Sequence, residues 1–407
     1  MEGEVTAISF DDFDEVWEEE DAPAVPSPGR IEEIESRKPE VELTRIPGRV
    51  RDADFTRIGV LGVGSFGKVV LAKQKATGDL YALKFVSLAR LQDRKQFDRA
   101  LDERAILATL EHPHVVKLHF AFRVKGHAVL GFEYCAGGEL FHHLCKKRVL
   151  NAKATAFYGA EIALALQCAH EAGVVYRDVK PENILVDKMG YAKLADFGFA
   201  RKLAKTERTF SFVGTPDYMA PECLRQSGHS ASADWWALGV CMYQLLVGDT
   251  PFSRLADGRK LRAICEARVN YNRRGISTAA ASLIRLLMQP DPGRRPLPGS
   301  QGAAQIKQHR FFFMIDWAKL EARSALSPYQ PPPCDPEAQV LDSSFSFDHV
   351  QELEELALAD VRVGEDSPLV PLLQDAASQP LKSRASMMSP QLQRVSSQKT
   401  SSPSPIA

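Results

Sequence analysis

The stretch that most narrows the possible folds is Gly62-Val63-Gly64-Ser65-Phe66-Gly67, because Lys68-Val69-Val70-Leu71-Ala72 follows it directly. A G-x-G-x-x-G that holds a dinucleotide has to open a helix, whose N-terminal N–H groups meet the pyrophosphate. Consecutive β-branched and apolar residues continue instead as a strand. The helix-opening reading fails, and the glycines become the tip of a hairpin. Lacking side chains, such a tip lets backbone N–H groups approach phosphates. A hairpin that binds nothing is the competing reading.

The strand before the tip begins at Phe55-Thr-Arg-Ile58. Lys75-Ala-Thr-Gly-Asp79 supplies the next turn, and Leu80-Tyr-Ala-Leu-Lys84-Phe-Val86 returns as a strand. Residues 95–110 carry helical periodicity, with Phe97, Leu101, Ile106 and Leu110 on or near one face. Two more strands are expected within 115–131. From Glu139 the pattern turns helical, with long apolar helices over 152–172 and 233–246. The expected class is α+β, a small β-rich half followed by a larger α-rich half, with no fixed-period repeat.

At 407 residues and 44% hydrophobic, the chain can bury a sizeable core. Its formal net charge of −1 argues against a uniformly basic nucleic-acid binder, yet hides an asymmetry. Residues 1–29 hold ten acids and no Lys or Arg; residues 378–407 hold Lys382, Arg384, Arg394 and Lys399 and no acid. Both ends read as disordered. The seven cysteines show no C-x-x-C spacing and read as reduced thiols. No secretory signal and no run approaching the ~20 apolar residues of a membrane span is found. Glycine stands at position 3 rather than 2, so myristoylation is not indicated. The expected location is the cytoplasm, with the nucleus open.

Lys84, within the apolar strand, would ordinarily be an edge or snorkelling residue. Beside a glycine tip it reads as the cation for α- and β-phosphates, with Glu103 on the next helix to orient it. Taken alone, Glu103 fits a solvated helix charge equally well. Tyr176-Arg177-Asp178-Val-Lys180-Pro-Glu182-Asn183 then places a carboxylate, an ammonium and an amide on one short loop. Asp178 suits the acceptor for a hydroxyl proton, Lys180 the neutraliser of a transferred phosphoryl group, and Asn183 an oxygen ligand for Mg2+. Asp196-Phe-Gly198 adds a second metal-binding carboxylate after strand-like Ala192-Lys-Leu-Ala195. A polar turn near a helix does not account for both motifs at this spacing.

With these motifs in this order the sequence resembles the eukaryotic protein kinases, within them the AGC group, and most of all the cyclic-nucleotide-dependent kinases. Tyr-Arg-Asp, Asp196-Phe-Gly-Phe-Ala-Arg201, Gly214-Thr-Pro-Asp-Tyr-Met-Ala-Pro-Glu222 and Ala233-Asp-Trp-Trp-Ala-Leu-Gly239 carry the likeness, which runs from Phe55 to Trp317. The resemblance implies a bilobal fold using ATP as substrate and Mg2+ as cofactor. It places Glu133 to Cys135 at the hinge that meets adenine, with Phe132 as gatekeeper, and pairs Arg295 with Glu222. Leu107, Leu118, Tyr176 and Phe197 match an apolar column spanning both lobes, a reading compatible with ordinary core.

By the same resemblance Ser211 is the activation-loop phosphosite, facing Arg99, Arg177 and Arg201. Glu139 and Glu182 match acids that receive arginine upstream of the phosphoacceptor. Phe212, Pro216 and Met219 match the apolar pocket for the residue after it. Gln244 stands where the nearest of these kinases carry a further acid, which weakens selection at the second upstream position. Thr215 and Lys180 fit serine/threonine specificity. The expected motif is Arg-x-x-Ser/Thr-hydrophobic.

The expected organisation is an acidic arm over 1–50, a catalytic domain over 55–313, an AGC-like C-terminal extension over 314–360 and a Ser/Pro-rich tail over 361–407. Ala325-Leu-Ser-Pro-Tyr329 resembles the segment that wraps back over the small lobe, and Phe345-Ser-Phe347-Asp348 its active-site tether. Residues 351–360 form a candidate acidic helix. Phe10, Phe13 and Trp17 make one stripe if the arm folds; a solvating arm is the other reading. Ser386 and Ser396 follow arginines and read equally as phosphosites or as chance. Protein substrates are the implied partners, with an upstream activating kinase and a regulatory subunit left open. A catalytically impaired scaffold of the same fold is disfavoured, because Lys84, Glu103, Asp178, Lys180, Asn183 and Asp196 are all present. A small-molecule phosphotransferase is disfavoured by the complete Ala-Pro-Glu222 segment.

Overall fold

The computed structural model describes residues 50–64, 67–87, 103, 105–124, 126–204, 207–211 and 213–329. Arg99, Ser65, Phe66, Phe212, the acidic arm, the 345–348 tether, the 351–360 helix and the Ser/Pro-rich tail lie outside these residues. No helix among the described residues is long and apolar enough to cross a membrane.

Five antiparallel strands come first: β1 (Phe55–Gly64), β2 (Gly67–Gln74), β3 (Leu80–Ser87), β4 (Leu118–Val124) and β5 (His127–Glu133), in the order β1-β2-β3-β5-β4. The glycine tip does join two strands, as the β-branched run after Gly67 requires. One face of the sheet is aromatic, with Phe55 5.2 Å from Phe120 and Tyr81 5.1 Å from Phe120 between ring centroids. Gly131 makes room for this cluster, since a Cβ there would fall 2.0 Å from the Phe120 ring. In β3 the pleat buries Tyr81, Leu83 and Phe85 and turns Lys84 to the opposite face. Of the expected helix over 95–110, Glu103 and residues 105–107 are helical, and Leu110 is buried just beyond its end.

The remainder is mostly helical. Strand β6 (Gly138–Glu139) leads into α1 (Leu140–Lys147) and the long α2 (Ala152–Glu171), whose N-cap Asn151 accepts from the Ala154 N–H at 2.8 Å. Short strands β7 (Val174–Val175), β8 (Ile184–Val186), β9 (Ala192–Leu194) and β10 (Arg201–Lys202) follow. They pair as β6-β8-β9 and β7-β10. Then come α3 (Pro221–Leu224), α4 (Ser232–Val247), α5 (Asp257–Cys265), α6 (Thr278–Leu287), α7 (Ser300–Lys307) and α8 (Trp317–Glu321).

Helices α2 and α4 are buried over most of their surface, so their sequences read as apolar runs without a polar stripe. They touch at Gly159, where a Cβ would lie 2.9 Å from Met242 Cε. Gly248, at φ 91°, stops α4 in the left-handed conformation that glycine adopts without cost.

Beyond α8 the chain lies against the β8–β9 turn. Arg323 meets Asp187 and stacks 4.8 Å from the Tyr191 ring, and the Tyr191 hydroxyl donates to the Ala325 carbonyl. Ser327 Oγ donates to the Gly190 carbonyl at 2.9 Å. The Tyr329 ring packs 4.7 Å from His143 of α1.

Candidate active site

Lys84 joins the two halves. Its Nζ lies 2.7 Å from Glu103 Oε1 and 3.0 Å from Asp196 Oδ1, partners 19 and 112 residues away in sequence. Burial by itself would lower the lysine's pKa, but the two carboxylates reverse that and hold the ammonium above its ordinary value. Burial raises the Glu103 carboxyl, with Lys84 opposing. Asp196 goes the other way: Lys84 outweighs burial and keeps the carboxylate ionised below its usual range. Asp196 sits in the left-handed region at φ 48°, and its Oδ1 accepts from Gly198 N–H at 3.4 Å.

The glycine tip serves this lysine by register. Val69 pairs with Lys84, and Gly67 pairs with Val86. A Cβ on Gly67 would fall 1.7 Å from the Phe85 carbonyl, so this glycine is needed for strand approach. Gly62 has open space around its Cβ position, and Val63 is exposed. Lys68 Nζ lies 5.7 Å from the Phe85 ring centroid.

Asp178 is the hub of the loop over residues 176–183. Its Oδ2 is 2.8 Å from Lys180 Nζ and accepts from Asn183 Nδ2 at 2.7 Å. Its Oδ1 accepts from the Thr215 N–H at 3.2 Å, and Lys180 Nζ donates to Thr215 Oγ1 at 2.9 Å. The loop is hung from Asp234 of α4, fully buried, which accepts from Tyr176 N–H at 2.9 Å and Arg177 N–H at 2.7 Å. His170 Nε2 donates to the same carboxylate at 2.8 Å, while its Nδ1 faces the Gly299 N–H at 3.5 Å, fixing the tautomer. Sequence reasoning quoted Asp234 within a motif but gave it no role, and it missed His170. The signal for Asp234 was a carboxylate inside a run of buried apolar residues.

The Tyr176 and Phe197 rings meet edge to face at 4.9 Å, with Leu107 and Leu118 in the same packed cluster. At the end of β5, Glu133 Oε1 accepts from Lys117 N–H at 2.7 Å and from Lys193 Nζ at 2.8 Å. That carboxylate is therefore occupied by the protein itself. Cys135 is buried, and burial pushes its thiol up to about 12.

In the segment after Asp196, Arg177 Nη1 donates to Ser211 Oγ at 2.8 Å. Arg201 Nη1 reaches Thr209 Oγ1 at 3.5 Å, and that hydroxyl lies 2.7 Å from Ser211 Oγ. Glu139 is raised by burial and then by the neighbouring Glu182, whose buried Oε2 has no partner among the described residues. Pro216 and Met219 flank Asp217 and Tyr218; the Tyr218 hydroxyl donates to Gln244 Oε1. Glu222 and Arg295 form a bidentate buried pair at 2.6 and 2.7 Å.

Mg2+ takes hard oxygen donors, which Asp196 and Asn183 carry. Asp196 Oδ2 has no partner among the described residues, and Asn183 shares Asp178 Oδ2 with Lys180 through its amide nitrogen. The residues fit that group.

A protein kinase domain model matches residues 55–312. The chain belongs to the protein kinase family. Over 350 residues it is 39% identical to human ribosomal protein S6 kinase alpha-6, covering 85% of this chain and 45% of that protein. It is 41% identical to the mouse protein of the same name over 300 residues, 73% of this chain and 38% of that one. Human ribosomal protein S6 kinase alpha-1 is 41% identical over 298 residues, 72% of this kinase and 40% of the relative. The chain thus spans less than half the length of these curated relatives. Their names fit the AGC group expected from the motifs and do not single out the cyclic-nucleotide-dependent branch.

Proposed function

We propose that the chain is a serine/threonine protein kinase that transfers the γ-phosphoryl group of ATP to protein hydroxyls. The observation that carries this reading is the pair of contacts from Lys84 to Glu103 and Asp196, which assembles a cation and a carboxylate from both lobes beside Asp178. Lys84 holds phosphate oxygens, and Asp178 accepts the hydrogen bond of the incoming hydroxyl, aligning it for attack. Lys180 and Thr215 keep Asp178 in one orientation. Asp196 and Asn183 would hold Mg2+, which when bound would neutralise phosphate charge. Arg-x-x-Ser/Thr-hydrophobic selection is supported by the raised Glu139 and the unpartnered Glu182 oxygen, both suited to a guanidinium. Gln244, already engaged by Tyr218, offers no charge for a second arginine.

Phosphorylation of Ser211 by this or an upstream kinase is supported by Arg177, which already contacts its hydroxyl, with Arg201 two residues away at Thr209. A regulatory subunit and the finer likeness to the cyclic-nucleotide-dependent kinases rest on the motifs alone. The test is radiolabelled phosphoryl transfer to a mixed Ser/Thr peptide library, with Asp178→Ala as control. Transfer into peptides with upstream arginine, lost in the variant, is expected. Equal transfer by variant and parent refutes the reading.

A further inference from the structure

Helix α5 and its flanks are strongly basic. Residues 254–274 carry seven cations, Arg254, Arg259, Lys260, Arg262, Arg268, Arg273 and Arg274, against two acids. Only part of this charge is matched internally. Arg254 meets Asp249 at 2.6 Å, and Lys260 meets Asp217 at 2.9 Å. Arg262 and Arg268 share the single carboxylate of Glu266. Arg225, at the end of α3, spans to α5 through the Cys265 carbonyl at 3.0 Å, a neutral partner that leaves its charge uncompensated. Arg259 is exposed and has no partner among the described residues. Beside it, Leu261 is about half exposed, at 51%.

The position of this surface gives it a use. Lys260 grips Asp217, which Thr250 Oγ1 also holds at 3.0 Å. Asp217 lies between Pro216 and Met219 and two residues from Thr215, whose N–H meets the catalytic Asp178. Lys260 thus ties α5 to the segment that carries Pro216 and Met219, while Arg259 and Arg262, three residues apart, lie on the exposed side of the same helix. The charge near α5 is thus opposite in sign to that at Glu139 and Glu182.

We propose that the α5 surface, through Arg225, Arg259 and Arg262, is a specificity subsite for acidic residues downstream of the phosphoacceptor in the protein substrate. The inference rests on the kinase reading above. It makes the preferred substrate dipolar, basic before the acceptor and acidic after it, so that charge sets the direction in which the peptide lies. Pairs of exposed charges are individually weak, and two or three acting together change affinity by about five- to tenfold.

The experiment uses the full chain and three peptides with a common Arg-x-x-Ser-Phe core, followed at the third to sixth downstream positions by Glu, Ala or Lys. Within each enzyme the ratio of kcat/KM for the Glu and Ala peptides is measured, so that any loss of folded protein cancels. In the parent the ratio is about five to ten, carried by KM, with the Lys peptide poorest, and it collapses in high salt. In Arg259→Glu/Arg262→Glu the ratio falls to about one or inverts. A parental ratio near one, or a ratio unchanged in the double variant, overturns the subsite while leaving the kinase reading intact. Absence of transfer to every peptide overturns both.

Discussion

Asp234 offers the sharpest test of how the loop that carries Asp178 is held. Three donors converge on its carboxylate: His170 Nε2–H, Tyr176 N–H and Arg177 N–H, at 2.8, 2.9 and 2.7 Å. Asp234→Ala would strand all three in a buried site, at about 1–3 kcal/mol each, a large part of a domain's stability of about 5–15 kcal/mol. Asp234→Asn is more informative because it keeps the volume. Its better orientation leaves the oxygen on Tyr176 and His170 and turns the NH2 against the Arg177 N–H, costing about 2–3 kcal/mol. Arg177 sits at φ 72°, a left-handed conformation that costs a non-glycine residue roughly 1–2 kcal/mol and is held here by that bond. Once released, Arg177 relaxes and carries the adjoining Asp178 with it. A displacement of about 1 Å is enough to lower kcat on the order of 100-fold. Lys84, Glu103 and Asp196 are untouched, so KM for ATP stays close to the parent's. Steady-state kinetics and thermal denaturation on the same preparations decide the matter. If Tm drops while kcat remains within about twofold of the parent, the bond from Asp234 stabilises the fold without aiming Asp178, and the reasoning fails.

Arg295→Met leaves Glu222 charged and buried, which predicts a loss of about 3–5 kcal/mol and a drop in Tm of roughly 10 °C. Glu222→Leu/Arg295→Met should regain most of it; equal melting of the single and double variants would falsify this. His114 is pushed down to about 4, chiefly by burial, where it faces the Ala192 and Leu320 carbonyls, Glu161, His112 and Arg323. The unfolded chain therefore takes up a proton between about pH 6.5 and 4 that the folded chain refuses, and this contribution to stability is lost as pH falls through that window. Glu161, raised by burial, works in the opposite sense. Melting curves across the window should be flatter in His114→Phe than in the parent, and equal slopes would count against the assignment.

How legible the molecule is from its sequence follows how local the cause is. The β1–β2 hairpin was readable because Lys68-Val69-Val70-Leu71 cannot open a helix at the glycines. Asp178, Lys180 and Asn183 were readable because their spacing within one loop is itself the geometry. Glu103 was ambiguous in sequence and became specific only when the fold brought it 2.7 Å from Lys84. Asp234 and His170 were opaque, since their value lies in partners 57 to 129 residues away. Gly67 carries a further constraint that the sequence did not display, the close Phe85 carbonyl of an adjoining strand.

The lacing of residues 320–329 onto the β8–β9 turn bears on where this molecule can be cut. The family match stops at residue 312, but His114 faces the carbonyl of Leu320 at 3.3 Å, and Tyr191 donates to that of Ala325. Gly190 is bare because a Cβ there would fall 2.0 Å from the Tyr329 carbonyl. A chain ended at the family boundary would thus lack a piece of its own wall, with Asp187 stripped of Arg323 and His143 of its aromatic cover. Truncation at residue 312 should therefore lower the melting temperature relative to a chain that keeps Tyr329.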